Sequence, residues 1–303
     1  MREIRQALAR RAVLIELAAS SAEGVFSLLD SASSSDDPAD LGMNMRGLLA
    51  IDWEIQKGWH SENKALNAWR AAIEQLGVLV FHSDYQGNMV VDPYEAHGLS
   101  ISERRYPIIV LNSLDLPQRR VFTLLHEFAH LLLDTSGVCD TWHHENPITE
   151  AQRIEVFCNR VAGAVLVPSE MLLNHIVVLR HGENVVWEDE EIVSLSKDFC
   201  TSRDVIVRRL LTLGLTVAGF YQQKHEEYEL AWQESKKKRK KRKKRKRGGY
   251  IPYHQMVLRR NGQTYTRQVL RAYYDDEINL PDVSSYLGTK IKHIAKLEEE
   301  LFA

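Results

Sequence analysis

Ile4, Leu8, Ala12, Ile15 and Leu17 gather toward one side of a helical projection, so residues 2 to 19 predict a helix. The polar run SASSSDDPAD at 31 to 40 interrupts the pattern and reads as an exposed linker. From Asn63 the alternation becomes that of a packed domain. LNAWRAAIEQLG, 66 to 77, is amphipathic at helical spacing and is closed by Gly77. VLVFHS (78 to 83) predicts a buried strand, with Gln86-Gly87-Asn88 turning the chain before NMVV. HGLSIS (97 to 102) and PIIVLN (107 to 112) are two more strand candidates. Asn112 and Ser113 lead through LDLPQRR into a helix over 117 to 133, with Pro117 acceptable in its first turn. A second helix spans Thr149 to Leu166 and ends before Pro168. Small strands feeding a long helix predict an α+β fold with a small mixed sheet.

Beyond this, DEEIVSLSKDFCTSRDVIVRRLLTLGL (189 to 215) has helix–turn–helix spacing, with Ser202 capping its second helix and Gly214 stopping it. The segment 222 to 249 turns from charged to basic and is expected to be partly disordered. The tail is expected to hold a short strand-like piece and two helices, the last from about Lys290 to Leu301. The reading thus divides the chain into a helical segment and linker of unassigned role (1–62), a core (63–180), a helix–turn–helix-like segment (181–222), a polybasic linker (223–249) and a helical tail (250–303).

Composition alters this picture in one respect. The 303 residues are 44% hydrophobic and 26% charged, as in an ordinary globular chain. The formal net charge of −2 conceals a division. Residues 236 to 247 read KKKRKKRKKRKR; taking these twelve from the 39 basic residues leaves 27 against 41 acidic, a net of −14 elsewhere. Cys139, Cys158 and Cys200 are odd in number and widely spaced, which fits a reducing cytoplasm better than a disulfide framework. No apolar run approaches the roughly 18 residues of a membrane helix. Ala12 to Ala19 is interrupted by Glu16 and lacks a clean cleavage site, so a secretory signal is not expected.

The chemistry centres on His126-Glu127-Phe128-Ala129-His130. Four helical residues turn through roughly 400°, so the two histidines project from nearly one face and can reach one ion at about 2.0–2.1 Å. Glu127, beside the first ligand, is placed to take a proton from a water held there and pass it to a leaving amine. VFTLL before the motif and LLLD after it bury the helix, and buried His, Glu and His are costly unless satisfied. A catalytic zinc wants a third protein ligand and one open position. Asp134, Asp140, His143, His144, Glu145, Glu150 and Glu155 are the downstream candidates. Glu155 is favoured because it lies on the inward face of the second helix, with Asn159 one turn on and able to support a ligand histidine. Asp134 is a candidate to orient His130 or to cap the helix. His143, His144 and Tyr106 are candidates to stabilise a tetrahedral intermediate. Two histidines and a carboxylate suit Zn2+ and also accept other divalent ions such as Mn2+.

FTLLHEFAHLLL followed by IEVFCNRVAGAVLVPSEML resembles the ImmA/IrrE family of zinc metallopeptidases. That family's usual pattern is HExxH, then a helix carrying E-x-x-A/C-N-x-F/V-A that leads to L-x-P. Glu155, Cys158, Asn159, Ala162 and Pro168 occupy the matching places, and the resemblance covers about 63 to 215. It implies a zincin-like fold, Glu155 as third ligand, and a cytoplasmic endopeptidase. It also implies a substrate: a helix–turn–helix repressor of a mobile element or stress response. Many members carry a DNA-binding domain upstream of the peptidase, and no clear one precedes Asn63 here. The alternative is a regulatory or antitoxin-like module that binds a partner protein or DNA without cleaving it; the intact Glu127 favours catalysis.

Two basic features bear on partners. The run 236 to 247 is expected to be extended and solvated, and to attract phosphate backbones without sequence preference. It has no interleaved aromatics for base stacking. Arg203, Arg208 and Arg209 could approach DNA, yet Val205, Val207, Leu210 and Leu211 indicate a helix that mainly packs.

Overall fold

The computed structural model describes residues 2–18, 25–83, 97–135, 137–139, 149–245 and 252–302, with only the backbone described at 137–139 and 236–245. Helices α1 (Arg2–Leu17), α2 (Pro38–Leu48), α3 (Trp53–Lys57) and α4 (Glu62–Gln75) precede strands β1 (Leu79–His82), β2 (Gly98–Ile101) and β3 (Ile108–Leu111). Helix α5 (Pro117–Leu132), strand β4 (Gly137–Cys139) and helix α6 (Glu150–Leu166) follow. The remainder is helical among the described residues: α7 (Ser169–Leu173), α8 (Ile176–His181), α9 (Asp189–Asp198), α10 (Arg203–Thr212), α11 (Ala218–Arg245), α12 (Tyr253–Asn261), α13 (Gln263–Tyr274), α14 (Leu280–Leu287) and α15 (Ile294–Phe302). The fold is a mostly helical α+β arrangement around a small mixed sheet.

The sheet has strand order β1-β3-β2-β4. β1 runs parallel to β3, with Val80 opposite Ile109, and β2 is antiparallel to both β3 and β4. Every residue of β1 and β3 is buried, so both faces must be covered. Alternation then sorts the side chains between two cores. Val80, Ile109 and Leu111 join α2, α4, α5, α6, α9 and α10 on one face. Leu79, Phe81, Ile108 and Val110 join α1 and α12–α15 on the other. The sheet is the middle layer, and α5 lies on the first face.

Three expectations need correction. Pro38 to Asp40 begin α2 rather than ending a linker: Asp37 accepts hydrogen bonds from the amides of Ala39 and Asp40, and Pro38 sits in the first turn. This helix packs closely on α6, where Gly42 meets the Ala164 backbone and a Cβ would lie 2.7 Å from Ala164 Cβ. In the tail, the expected strand-like piece is absent among the described residues; 252–302 is helices and turns. The basic run was expected to be extended, but α11 continues as one helix to Arg245. Lys and Arg are good helix formers, and Phe220, Tyr221 and Trp232 bury the first half of α11, so the costly nucleus is already formed. The strand expected at NMVV lies outside the described residues.

Candidate metal centre

Helix α5 brings His126, Glu127 and His130 inside. It starts at Pro117, and every residue from Arg120 to Leu132 is buried. His126 and Glu127 are fully inaccessible and His130 is 3% exposed. Helix α6, fixed at its start by a reciprocal capping box between Thr149 and Gln152, packs along α5 and offers Glu155 from its second turn. The Glu155 carboxylate meets both imidazoles: Oε2 is 3.2 Å from His126 Nε2, and Oε1 is 3.2 Å from His130 Nε2. The two Nε2 atoms are 3.1 Å apart.

These separations test whether one metal fits. Two ligands bound at about 2.0–2.1 Å in a tetrahedron must themselves lie about 3.3 Å apart. The two imidazole nitrogens lie almost that far apart, each is at a similar distance from one oxygen of the Glu155 carboxylate, and one donor atom from each of the three residues lies within 4.8 Å of the others; among the described residues this is the one His/Cys/Asp/Glu group compact enough to hold an ion. The donor chemistry agrees, since two imidazoles and a carboxylate are a common set for a divalent metal.

The tautomer of His130 is also set. Thr135 Oγ1 donates to the His130 carbonyl at 3.1 Å and lies 2.9 Å from His130 Nδ1. With its hydrogen committed to the carbonyl, the hydroxyl accepts from Nδ1–H, so neutral His130 turns a bare Nε2 toward His126 and Glu155. Asp134 does not orient His130; its carboxylate accepts from Ser102 Oγ, while its backbone turns the chain at a positive φ of 51°. Thr135 was missed in the sequence because a threonine just beyond a helix end has no signature that separates this use from a turn.

Charge in the site follows from burial and contact. Burial pushes the His126 pKa down, partly countered by Glu155 and Asn159. For His130 burial also opposes the charge, but Cys158, Glu155 and Glu127 outweigh it and raise the pKa to about 11. Burial works against the Glu155 charge, yet hydrogen bonds and charge from both histidines hold its carboxyl at about 2. The bare site therefore favours an anion at Glu155 and a cation beside it, the polarity that a metal ion satisfies. Burial lifts the Cys158 thiol above its ordinary range and keeps it neutral.

Asn159, 5% exposed, sits one turn past Glu155. Its Oδ1 and the Nδ1 of His126 both lack a well-formed hydrogen bond, although its side chain still helps His126 hold a proton. Gly98 of β2 faces Glu127: a Cβ there would lie 3.3 Å from Glu127 Oε1, 3.1 Å from the Val110 carbonyl and 2.5 Å from Thr123 Cγ2. A glycine inside a strand is the signal for such close approach.

The other candidates do not join the group. Glu150 is exposed in the first turn of α6. Asp140, His143, His144 and Glu145 lie outside the described residues. Tyr106 is 2% exposed and packs in the core on the opposite face of the sheet, so it is not placed to stabilise an intermediate on α5. In the helix–turn–helix-like pair α9–α10, Arg209 is buried and donates to the Val167 carbonyl and Ser169 Oγ. Arg208 lies over the Phe122 and Tyr221 rings, and Arg203 over Tyr228. These arginines are used in packing. Among the described residues, no helix is long and apolar enough to cross a membrane.

No curated protein matches the chain. Residues 73–211 match the model of the peptidase M78 family, described as the IrrE N-terminal-like domain. The match begins in α4, contains the whole sheet, α5 and α6, and ends in α10, so it encloses His126, His130 and Glu155. Residues 73–211 thus carry the domain of the peptidase M78 family of metallopeptidases, and over this stretch the chain is similar to that family.

Proposed function

We propose that the chain is a zinc-dependent endopeptidase with a zincin-like core, acting in the cytoplasm on a helix–turn–helix repressor of a mobile element or stress response. The observation that carries the reading is the compact group of His126, His130 and Glu155 donors, with Glu127 beside the two histidines on buried helix α5. The repressor as substrate rests on the family resemblance alone.

In this reading His126, His130 and Glu155 hold the ion, with zinc the best match and manganese accepted by the same donors. When bound, such an ion polarises a carbonyl and lowers the pKa of water to about 7. Glu127 takes the proton of the attacking water and returns it to the nitrogen of the departing amine. Thr135 fixes the His130 ring, and Asn159 supports His126. The apolar walls of α5 and α6 keep bulk water from the buried carboxylate. The basic run 236 to 247 adds a non-specific contact to nucleic acid, which would concentrate the enzyme where a DNA-bound repressor is found.

The test incubates metal-loaded protein, beside its Glu127→Gln variant, with the repressor encoded nearest to it, and searches for a discrete cut by mass spectrometry. A single cut made by the parent and reduced about 10²–10⁴-fold in the variant, at equal metal content, supports the reading. Tight binding by both forms with no cut would favour a regulatory module instead.

A further inference from the structure

A second pair of chemistry-bearing side chains sits beside Gly98 and the start of α5. His97 immediately precedes Gly98, the residue whose Cβ position lies 3.3 Å from Glu127 Oε1. Its Nδ1 is 2.7 Å from Asp115 Oδ2, and the Asp115 side chain is fully buried while that of His97 is 14% exposed. A buried carboxylate accepts only, so Nδ1 carries the hydrogen and the ring is fixed about that bond. Among the described residues, Asp115 Oδ1 has no hydrogen-bond partner. An aspartate withdrawn from water at the entrance to α5 costs stability, and among the described residues its carboxylate is met by His97.

His97 also lines a cavity of about 230 Å³ together with Phe122 and Thr123. These two residues lie one turn before His126 and Glu127 on α5, and the Phe122 ring stacks on the His126 ring at 6.3 Å. The far wall is Tyr228 and Trp232 of α11, with Arg208 of α10. The cavity therefore borders the turn of α5 that precedes His126 and Glu127, and His97 lines it beside that turn.

We propose that His97, oriented by Asp115, is a catalytic residue whose outer nitrogen donates a hydrogen bond to the carbonyl oxygen of the peptide bond being cut. This deepens the peptidase reading and rests on it. With Nδ1–H held on Asp115, Nε2 is the ring atom left to meet the carbonyl oxygen, and it donates when it carries a proton. The bond strengthens as the carbonyl oxygen gains negative charge, and a donor held in place by a buried partner needs no reorganisation. No bond to His97 forms or breaks. A structural role explains the same contacts less well, because a ring needed only for packing has no use for a buried carboxylate aimed at its Nδ1.

The probe is a fluorescence-quenched decapeptide library, from which the best-cleaved peptide is taken for kinetics. His97→Ala and Asp115→Asn are compared with the parent, and both are also made in the Glu127→Gln background, where the peptide's Kd is measured by calorimetry. Expected for His97→Ala is a fall in kcat of about 10²–10³-fold. Kd in the uncleaving background should change less than about threefold, metal content should hold, and added imidazole should partly restore kcat. Asp115→Asn should fall by a smaller factor. An unchanged kcat, or a loss that appears equally in Kd and is not rescued by imidazole, would overturn the assignment while leaving the peptidase reading standing. If the parent cuts nothing that Glu127→Gln spares, the peptidase reading falls and this inference falls with it. Should Asp115→Asn unfold, His97→Gln decides: it keeps a donor on a shorter arm and should retain more activity than His97→Ala.

Discussion

At the scale of single residues, the candidate site is built from buried polar groups that meet one another on α5 and α6. His126 and His130 could be read from their spacing, and their facing Nε2 atoms, 3.1 Å apart, are what that spacing delivers on a helix. The groups behind them are less conspicuous. Thr135 both closes the end of α5 and holds His130 Nδ1, so one hydroxyl links helix termination to ring orientation. Thr135→Val keeps the shape and removes the acceptor. The expected outcome is a metal affinity weaker by about 10–100-fold with the fold retained, measured by competition with a calibrated chelator. An unchanged affinity would show that the ring is held by packing alone.

At the scale of elements, the decisive contact is between β2 and α5. The strand passes the helix so closely that Gly98 has no room for a methyl group, and it brings Glu127 against the sheet. Gly98→Ala places a carbon 2.5 Å from Thr123 Cγ2, a distance that real Cβ atoms do not tolerate. The strand or the helix must give way, at a cost of about 1–3 kcal/mol, and the Glu127 carboxylate shifts with it. Thermal melting should fall and activity should drop further than stability alone explains. Pairing the change with Thr123→Ser, which deletes the obstructing methyl, should recover part of the melting temperature. A double variant no better than the single one would place the obstruction at the Val110 carbonyl instead.

Across the whole molecule, buried arginines join the two cores that the sheet separates. Arg70 of α4 pairs with Glu74 at 3.0 Å, donates to the carbonyl of Val80 in β1, and donates at 2.8 Å to the carbonyl of Arg259 in α12. His82 ends β1 in the same region, with its Nδ1 3.2 Å from Arg120 Nη1. Burial, then the charges of Arg70, Arg120 and Arg259, hold its pKa well below the ordinary 6.5. A histidine with a depressed folded pKa stays neutral in the native state and protonates when unfolded. Its contribution is complete above about pH 6.5 and is lost as the pH falls toward the folded value, at up to about 1.4 kcal/mol per unit. His82→Asn keeps an acceptor for Arg120 and removes the titration. Between pH 7 and pH 5 the variant should lose less of its urea midpoint than the parent; equal losses would mean that other groups govern the acid side.

The amino-acid order alone determined the elements whose information is local. The continuous apolar runs in VLVFHS and PIIVLN, the apolar spacing around HExxH, and Glu155 with Asn159 one turn apart are patterns written within a few residues, so β1, β3, α5 and α6 were legible. Local charge misled for the same reason. A run of Lys and Arg looks extended when read by itself, and only the packing of Phe220, Tyr221 and Trp232 gives its helix a formed base. Polar residues 31 to 40 likewise hid the start of α2, which is stabilised by its fit against α6. Tertiary structure decided the contacts between distant segments: Gly98 against Thr123 and Glu127, His97 with Asp115, and Arg70 reaching α12. No periodicity carries such information, because these residues meet through the closing of long loops, and each becomes meaningful only when burial removes the water that would otherwise satisfy it.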